Sequence, residues 1–155
     1  MRTLKLFAIL LVLPILLAAG PPPKQQLENF DKGEITIASA NGPHKFAVEL
    51  AISEPQRSQG LMYRQRMAAD AGMIFIWQTP QQITMWMENT FIPLDMLFVD
   101  AGGTILNIRE RAVPFSRENI ASDGPAKVAI ELNGGTVSRL GIKPGDTVTG
   151  AGFGG

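Results

Sequence analysis

The hydrophobic and polar positions of this chain alternate with a period of two in several short runs. The clearest is Lys45 to Ile52, with Phe46, Val48, Leu50 and Ile52 on one face and Ala47, Glu49 and Ala51 on the other. That is the pattern of a half-buried strand. Ala126 to Leu132 repeats it, with Val128, Ile130 and Leu132 inward and Glu131 on the face expected to meet solvent. Glu34 to Ala40 carries the β-branched residues Ile35, Thr36 and Ile37 and reads as a first strand, with a hairpin signal at Asn41-Gly42. Gly72 to Trp77 reads as a short apolar strand followed by a turn at Thr79 to Gln82. Ile83 to Asp100 reads as two strands meeting at a corner broken by Pro93, since proline cannot donate to a ladder. Asp100 to Gly103 is a turn, Thr104 to Arg109 its returning partner, and Pro114 to Gly124 a loop.

Two places carry helical signals. At Ser53-Glu54-Pro55-Gln56, Ser53 can cap a helix, Gln56 sits at the reciprocal capping-box position, and Pro55 is tolerated in the first turn. Ser58, Leu61, Met62 and Arg66 follow at helical spacing, with Gly60 allowing close approach to a sheet. Thr136 to Leu140 is one turn closed by Gly141, and Lys143-Pro144-Gly145-Asp146 then turns into a last strand. The expected fold is mainly β, barrel or sandwich-like, with about seven to nine short strands and one or two short helices.

Several of these blocks, in this order, resemble the signature of the DUF192 family. They are Met85-Trp86-Met87-Glu88-Asn89-Thr90, Ile92-Pro93-Leu94-Asp95 and Phe98-Val99-Asp100. Upstream stand Arg57-Ser58-Gln59-Gly60-Leu61-Met62-Tyr63-Arg64 and Gly72-Met73-Ile74-Phe75. Downstream come Glu131-Leu132, Gly135 and Gly141-Ile142-Lys143-Pro144-Gly145-Asp146. The resemblance spans Phe46 to Val148 and implies a compact, mostly β domain, often exported, with no particular reaction. Glu88 stands where the family usually carries Lys, so a role resting on that Lys does not carry over.

Length and composition narrow the function. The 155 residues fit one domain. Arg2 and Lys5 precede an unbroken apolar run from Leu6 to Ala19, which as a helix reaches only ~21 Å, short of a hydrocarbon core of about 30 Å. Residues 1–20 therefore read as a secretory signal, with an uncleaved membrane anchor as the alternative. Residues 21–33 follow as a proline-led polar tether, 34–150 as the domain and 151–155 as a disordered tail. The expected location is periplasmic or secreted, with membrane attachment only through an uncleaved N-terminal segment.

Basic and acidic residues balance at 14 each, and removing Arg2 and Lys5 with the first twenty residues leaves 12 against 14. A slightly acidic domain lacks the basic footprint of a nucleic-acid binder. The chain has no cysteine, which excludes disulfides, thiol catalysis and Cys-ligated metals. The one histidine, His44, sits beside the first hairpin turn and reads as solvated, a poor base for a triad.

The candidate chemistry gathers at the Met85–Asp95 corner. A ligand site there would use Arg64, Trp86, Glu88, Asn89, Thr90 and Asp95. Arg57 and Arg64 are seven residues apart, so on one helix they share a face, and Arg64 could then pair with Asp95 or Glu88. Each of these residues also has a plainer reading: a structural ion pair for Arg64, corner hydrogen bonding for Asn89 and Thr90, a core ring for Trp86. Glu88 and Asp95 are the candidates for a catalytic carboxylate pair on a glycan, which needs separations of roughly 5–9.5 Å. Met85 and Met87 share a strand face and are candidate thioether ligands for Cu(I), although methionine also fills irregular cores. The leading expectation is a monomeric, non-enzymatic periplasmic binding or accessory domain, with no cofactor, for a small-molecule, glycan or protein partner. A hydrolase or lyase using Glu88 and Asp95, and Cu(I) handling, are the alternatives.

Overall fold

The alternating runs pair as a ladder. In the computed structural model, which describes residues 27–154, β1 (Asp31–Ser39) and β2 (Gly42–Ala51) form an antiparallel hairpin with Ile35 opposite Phe46. The chain reverses at Ala40-Asn41, one residue ahead of the expected pair. β1 also takes in three residues assigned to the tether, because its ladder runs on to Asp31 opposite Leu50. The expected signal segment lies outside the described residues.

Helix α1 (Glu54–Gln59) starts where its capping box predicts. Ser53 Oγ accepts the Gln56 N–H at 3.3 Å, and Gln56 Oε1 accepts the Ser53 N–H at 3.0 Å. It is shorter than the periodicity through Arg66 suggested. Gly60 ends it in the left-handed region (φ 49°), where a β-carbon would stand 3.0 Å from the Phe75 ring. The segment ahead of β1 lies along this helix: the Glu28 N–H donates to Gln59 Oε1, and Gln56 Nε2 donates to the Asn29 carbonyl, both at 2.7 Å.

Strand β3 (Ala71–Met85) runs through the turn expected at Thr79 to Gln82. Against its partner β6 (Ile120–Asn133), β3 bulges between Ile76 and Gln81, where Pro80 need not donate. The long β6 likewise shortens the loop expected at Pro114 to Gly124. β4 (Leu94–Val99) and β5 (Ile105–Ala112) form the predicted hairpin, with Asp100 Oδ1 taking the N–H groups of Gly102 and Thr104 at 2.8 Å. α2 (Thr136–Leu140) and β7 (Thr147–Gly150) follow as predicted.

The seven strands form one curled half-barrel sheet in the order β5-β4-β6-β3-β2-β1-β7. Its two edges meet at one end, where the Val148 N–H donates to Gly103 O at 2.7 Å and the Ile105 N–H to Asp146 O at 2.9 Å. The enclosed face holds a core with members from every strand, including Ile37, Phe46, Ile74, Leu97, Ile105, Ile130 and Val148. Phe153 packs against this core, so the residues expected to fray past 150 are in part attached to it. A second apolar cluster covers the opposite face of β3, β4 and β6, built on Leu61, Met73, Phe75, Met87, Met96 and Phe98. Every residue of β4 is buried, because the sheet there is covered on both sides.

Candidate functional site

Covering both faces changes the meaning of Glu131. The alternation of β6 holds, and Glu131 faces away from Val128, Ile130 and Leu132, but that side is not solvent. It stands opposite Met73 of β3 and Met96 of β4, and is 3% exposed. Its carboxyl makes no hydrogen bond or ion pair with any described residue. Burial pushes its pKa up from 4.5 to about 8, because an ion there would lose its hydration without gaining a partner. At neutral pH it is an acid holding its proton, able to donate one hydrogen bond.

That carboxyl lies on a cleft of about 370 Å³ between α1 and β3. Leu61, Phe75 and Met85 supply its apolar surface, and Ser58, Gln59, Gln81 and Thr84 its neutral polar groups. Arg57, in the last turn of α1, lays its guanidinium 5.2 Å from the centre of the Trp77 ring. The same guanidinium donates to the carbonyls of Ile52 and of Ile76, the latter at 3.2 Å, and so ties the helix to the sheet. Trp86 stands in the cleft wall 48% exposed, where the simpler expectation was a buried ring.

The structure divides the residues grouped at the corner. Trp86 and Thr90 line the cleft; Thr90 is buried and donates to the Glu88 carbonyl at 3.2 Å. Glu88 is instead ion-paired with Arg117 at 2.5 Å. Asn89 takes a left-handed backbone (φ 54°), its carbonyl accepts the Tyr63 N–H, and its amide reaches the Met62 sulfur at 3.9 Å.

Arg64 pairs with Glu49 at 2.7 Å, beside a separate groove, rather than with Asp95 or Glu88. The helix that was to carry Arg57 and Arg64 on one face ends between them. Asp95 is fully buried and accepts the N–H groups of Arg111, Gly135 and Val137 at 2.8, 3.0 and 2.8 Å. It therefore holds loops together, with its oxygens taken up by backbone N–H groups while Glu88 is held by Arg117. Met85 and Met87 share the second apolar cluster, and only Met85 lines the cleft. His44 is half-buried rather than solvated, with its Nε2 3.0 Å from Ser39 Oγ.

Sequence reasoning missed Glu131, Trp77 and Arg57 as cleft residues. The available signal was Glu131 itself, a lone acid inside an apolar run.

The DUF192 family profile, described as "Uncharacterized ACR", matches residues 35–150. The chain belongs to this family. A crystal structure from Sinorhizobium meliloti 1021, whose description proposes a transcription regulator, is similar at 46% identity and a TM-score of 0.79. That match covers 83% of this chain and 100% of the other. A protein of unknown function from Novosphingobium aromaticivorans DSM 12444 is similar at 37% identity and a TM-score of 0.77, covering 86% of this chain and 94% of the other. Among curated proteins none matches the chain.

Proposed function

We infer that this DUF192 domain is a non-enzymatic binding domain acting outside the cytoplasm, and that its ligand enters the cleft at Glu131. The observation that carries this reading is a carboxyl that is buried, unpaired by any described residue, and placed at that cleft. Burying such a group costs stability unless something answers it. The second apolar cluster could have been completed by leucine or methionine at this position at no such cost.

The ligand is uncharged. A protonated Glu131 offers a donor to a neutral acceptor, and the one cation in the cleft, Arg57, already serves two carbonyls and the Trp77 ring. Apart from Glu54 at its helix end, the rest of the wall is apolar surface and neutral amide or hydroxyl groups, the mixture typical of small-molecule sites. The signal-like N-terminal segment supports an extracytoplasmic setting. The nucleic-acid role that one neighbour's description would suggest finds no support in the balanced charge of the chain.

The test is a thermal-shift screen of the purified chain and of Glu131→Leu against uncharged small molecules and glycans. A true ligand at a hundred times its dissociation constant adds about 2.7 kcal/mol to wild type and little to the variant. Ligands that protect both proteins equally would remove the cleft as the site.

A further inference from the structure

We propose that the ligand of this cleft is an uncharged saccharide, with the apolar face of a sugar ring stacked on Trp86. Resting on the binding reading above, the proposal names the ligand class. Tryptophan is among the more covered residue types, yet Trp86, which lines the cleft, is 48% exposed. A flat, exposed ring of this kind is a platform for the C–H face of a pyranose. Ser58, Gln81 and Thr84 line the same cleft, and their side chains make no hydrogen bond within the described protein. They offer neutral donors and acceptors of the kind that ring hydroxyls pair with.

Competing ligand chemistries fit less well. An anion would meet the Glu54 carboxylate at the helix start, and Arg57 is already committed to two carbonyls and the Trp77 ring. A purely apolar molecule would leave the Glu131 proton unanswered, whereas a sugar hydroxyl, ring oxygen or acetamido carbonyl accepts it. The 370 Å³ of the cleft lies within the ~300–1,000 Å³ range of small-molecule sites and suits a short saccharide, not a long chain.

Proton linkage follows from this arrangement. The charged groups facing Glu131 in the cleft are Arg57 and Glu54 of α1, while β3 and β4 set the non-titrating Met73 and Met96 on either side. As Glu131 loses its proton, near pH 8, the donor to the sugar becomes a buried anion. Affinity is therefore constant at acid to neutral pH and falls about tenfold by pH 9.

The experiment is isothermal titration of the full chain with neutral cello- and chito-oligosaccharides at pH 6, 7 and 9. One of these sugars binds wild type with the stated pH dependence. Trp86→Ala, which melts as wild type does, binds it at least tenfold more weakly. Glu131→Gln keeps binding and loses the fall between pH 7 and 9. Unchanged affinity in Trp86→Ala, or a pH profile that survives Glu131→Gln, overturns the proposal. If no sugar binds but benzamide, with a ring and a carbonyl acceptor, does so in a manner lost in Glu131→Leu, the saccharide is wrong while the cleft stands. If neither sugar nor benzamide binds, both readings fall together.

Discussion

Asp95 and Glu131 lie almost side by side in the β4–β6 ladder, where Asp95 is opposite Leu132 and Met96 opposite Glu131. Both are buried, at 0% and 3% exposure. They point to opposite faces of the sheet, and their fates differ completely. Asp95 collects three backbone N–H groups, from the end of β5 and from the loop and first turn at α2. Glu131 collects none among the described residues and opens on a cleft. Burial alone therefore says little about what an acid does. The number of protein partners separates an acid that holds the fold from one that awaits a ligand.

The comparison breaks most severely at Asp95. Asp95→Ala leaves three donors without an acceptor and costs about 5 kcal/mol, enough to unfold a domain of ordinary stability. Urea denaturation of wild type and variant measures it, and a loss below about 1 kcal/mol would make the two acids equivalent.

Glu131 gives an effect of opposite sign. Its folded pKa is raised from 4.5 to about 8, so the folded chain keeps a proton that the unfolded chain releases. The stability this group contributes is complete below 4.5 and is lost as pH rises through 8. Glu131→Gln has no proton to lose and gains on wild type across that window, by on the order of 4 kcal/mol at pH 8 and little near pH 4.5. Denaturation at the two pH values checks this, and a difference that does not vary with pH contradicts it.

Smaller effects belong to the cleft wall. Gly60→Ala forces a side chain into a left-handed position and against Phe75, costing about 2 kcal/mol and moving α1 off the sheet. A melting curve reads the loss, and hydrogen exchange at residues 54–59 reads the movement. Ser53→Ala removes half of the capping box and costs about 1 kcal/mol by the same melting curve. Trp86→Ala, at a half-exposed ring, changes stability by about 0.5 kcal/mol or less, although the saccharide reading expects it to abolish most binding.

Local signals in the sequence served the local elements well. The capping box at Ser53 and Gln56, the hairpin near Asn41, the turn at Asp100 and the helix closed by Gly141 each rest on interactions within a few residues. β3 was harder, because its continuity through Pro80 depends on β6, some forty residues away in the chain. The candidate site failed for a related reason. Period-two alternation reports which face of a strand differs from the other, but not whether the second face is wet. Alternation puts Glu131 on the correct face but says nothing of its surroundings, since the cover comes from α1, Leu61 and the far end of β3. Asp95 was noticed as a polar residue at a corner, but its partners at Gly135 and Val137 lie forty residues on. Arg64 followed from a helix extended past Gly60. Trp86 was the one aromatic of the corner block that the fold leaves at the cleft.

The meeting of the two sheet edges has a consequence for the order in which the chain is made. The strand that closes the curl, β7, is the last of the described strands to be synthesised, and its partners are β1, the first, and the turn just ahead of β5. Until Thr147 to Gly150 arrive, one whole side of β1 offers unpaired backbone groups, with Ile35 and Ile37 beside them. A bare edge of that kind recruits other strands, including those of a second nascent copy. Stopping the chain at Asp146 should therefore yield a protein that aggregates during folding, out of proportion to the four residues of strand removed.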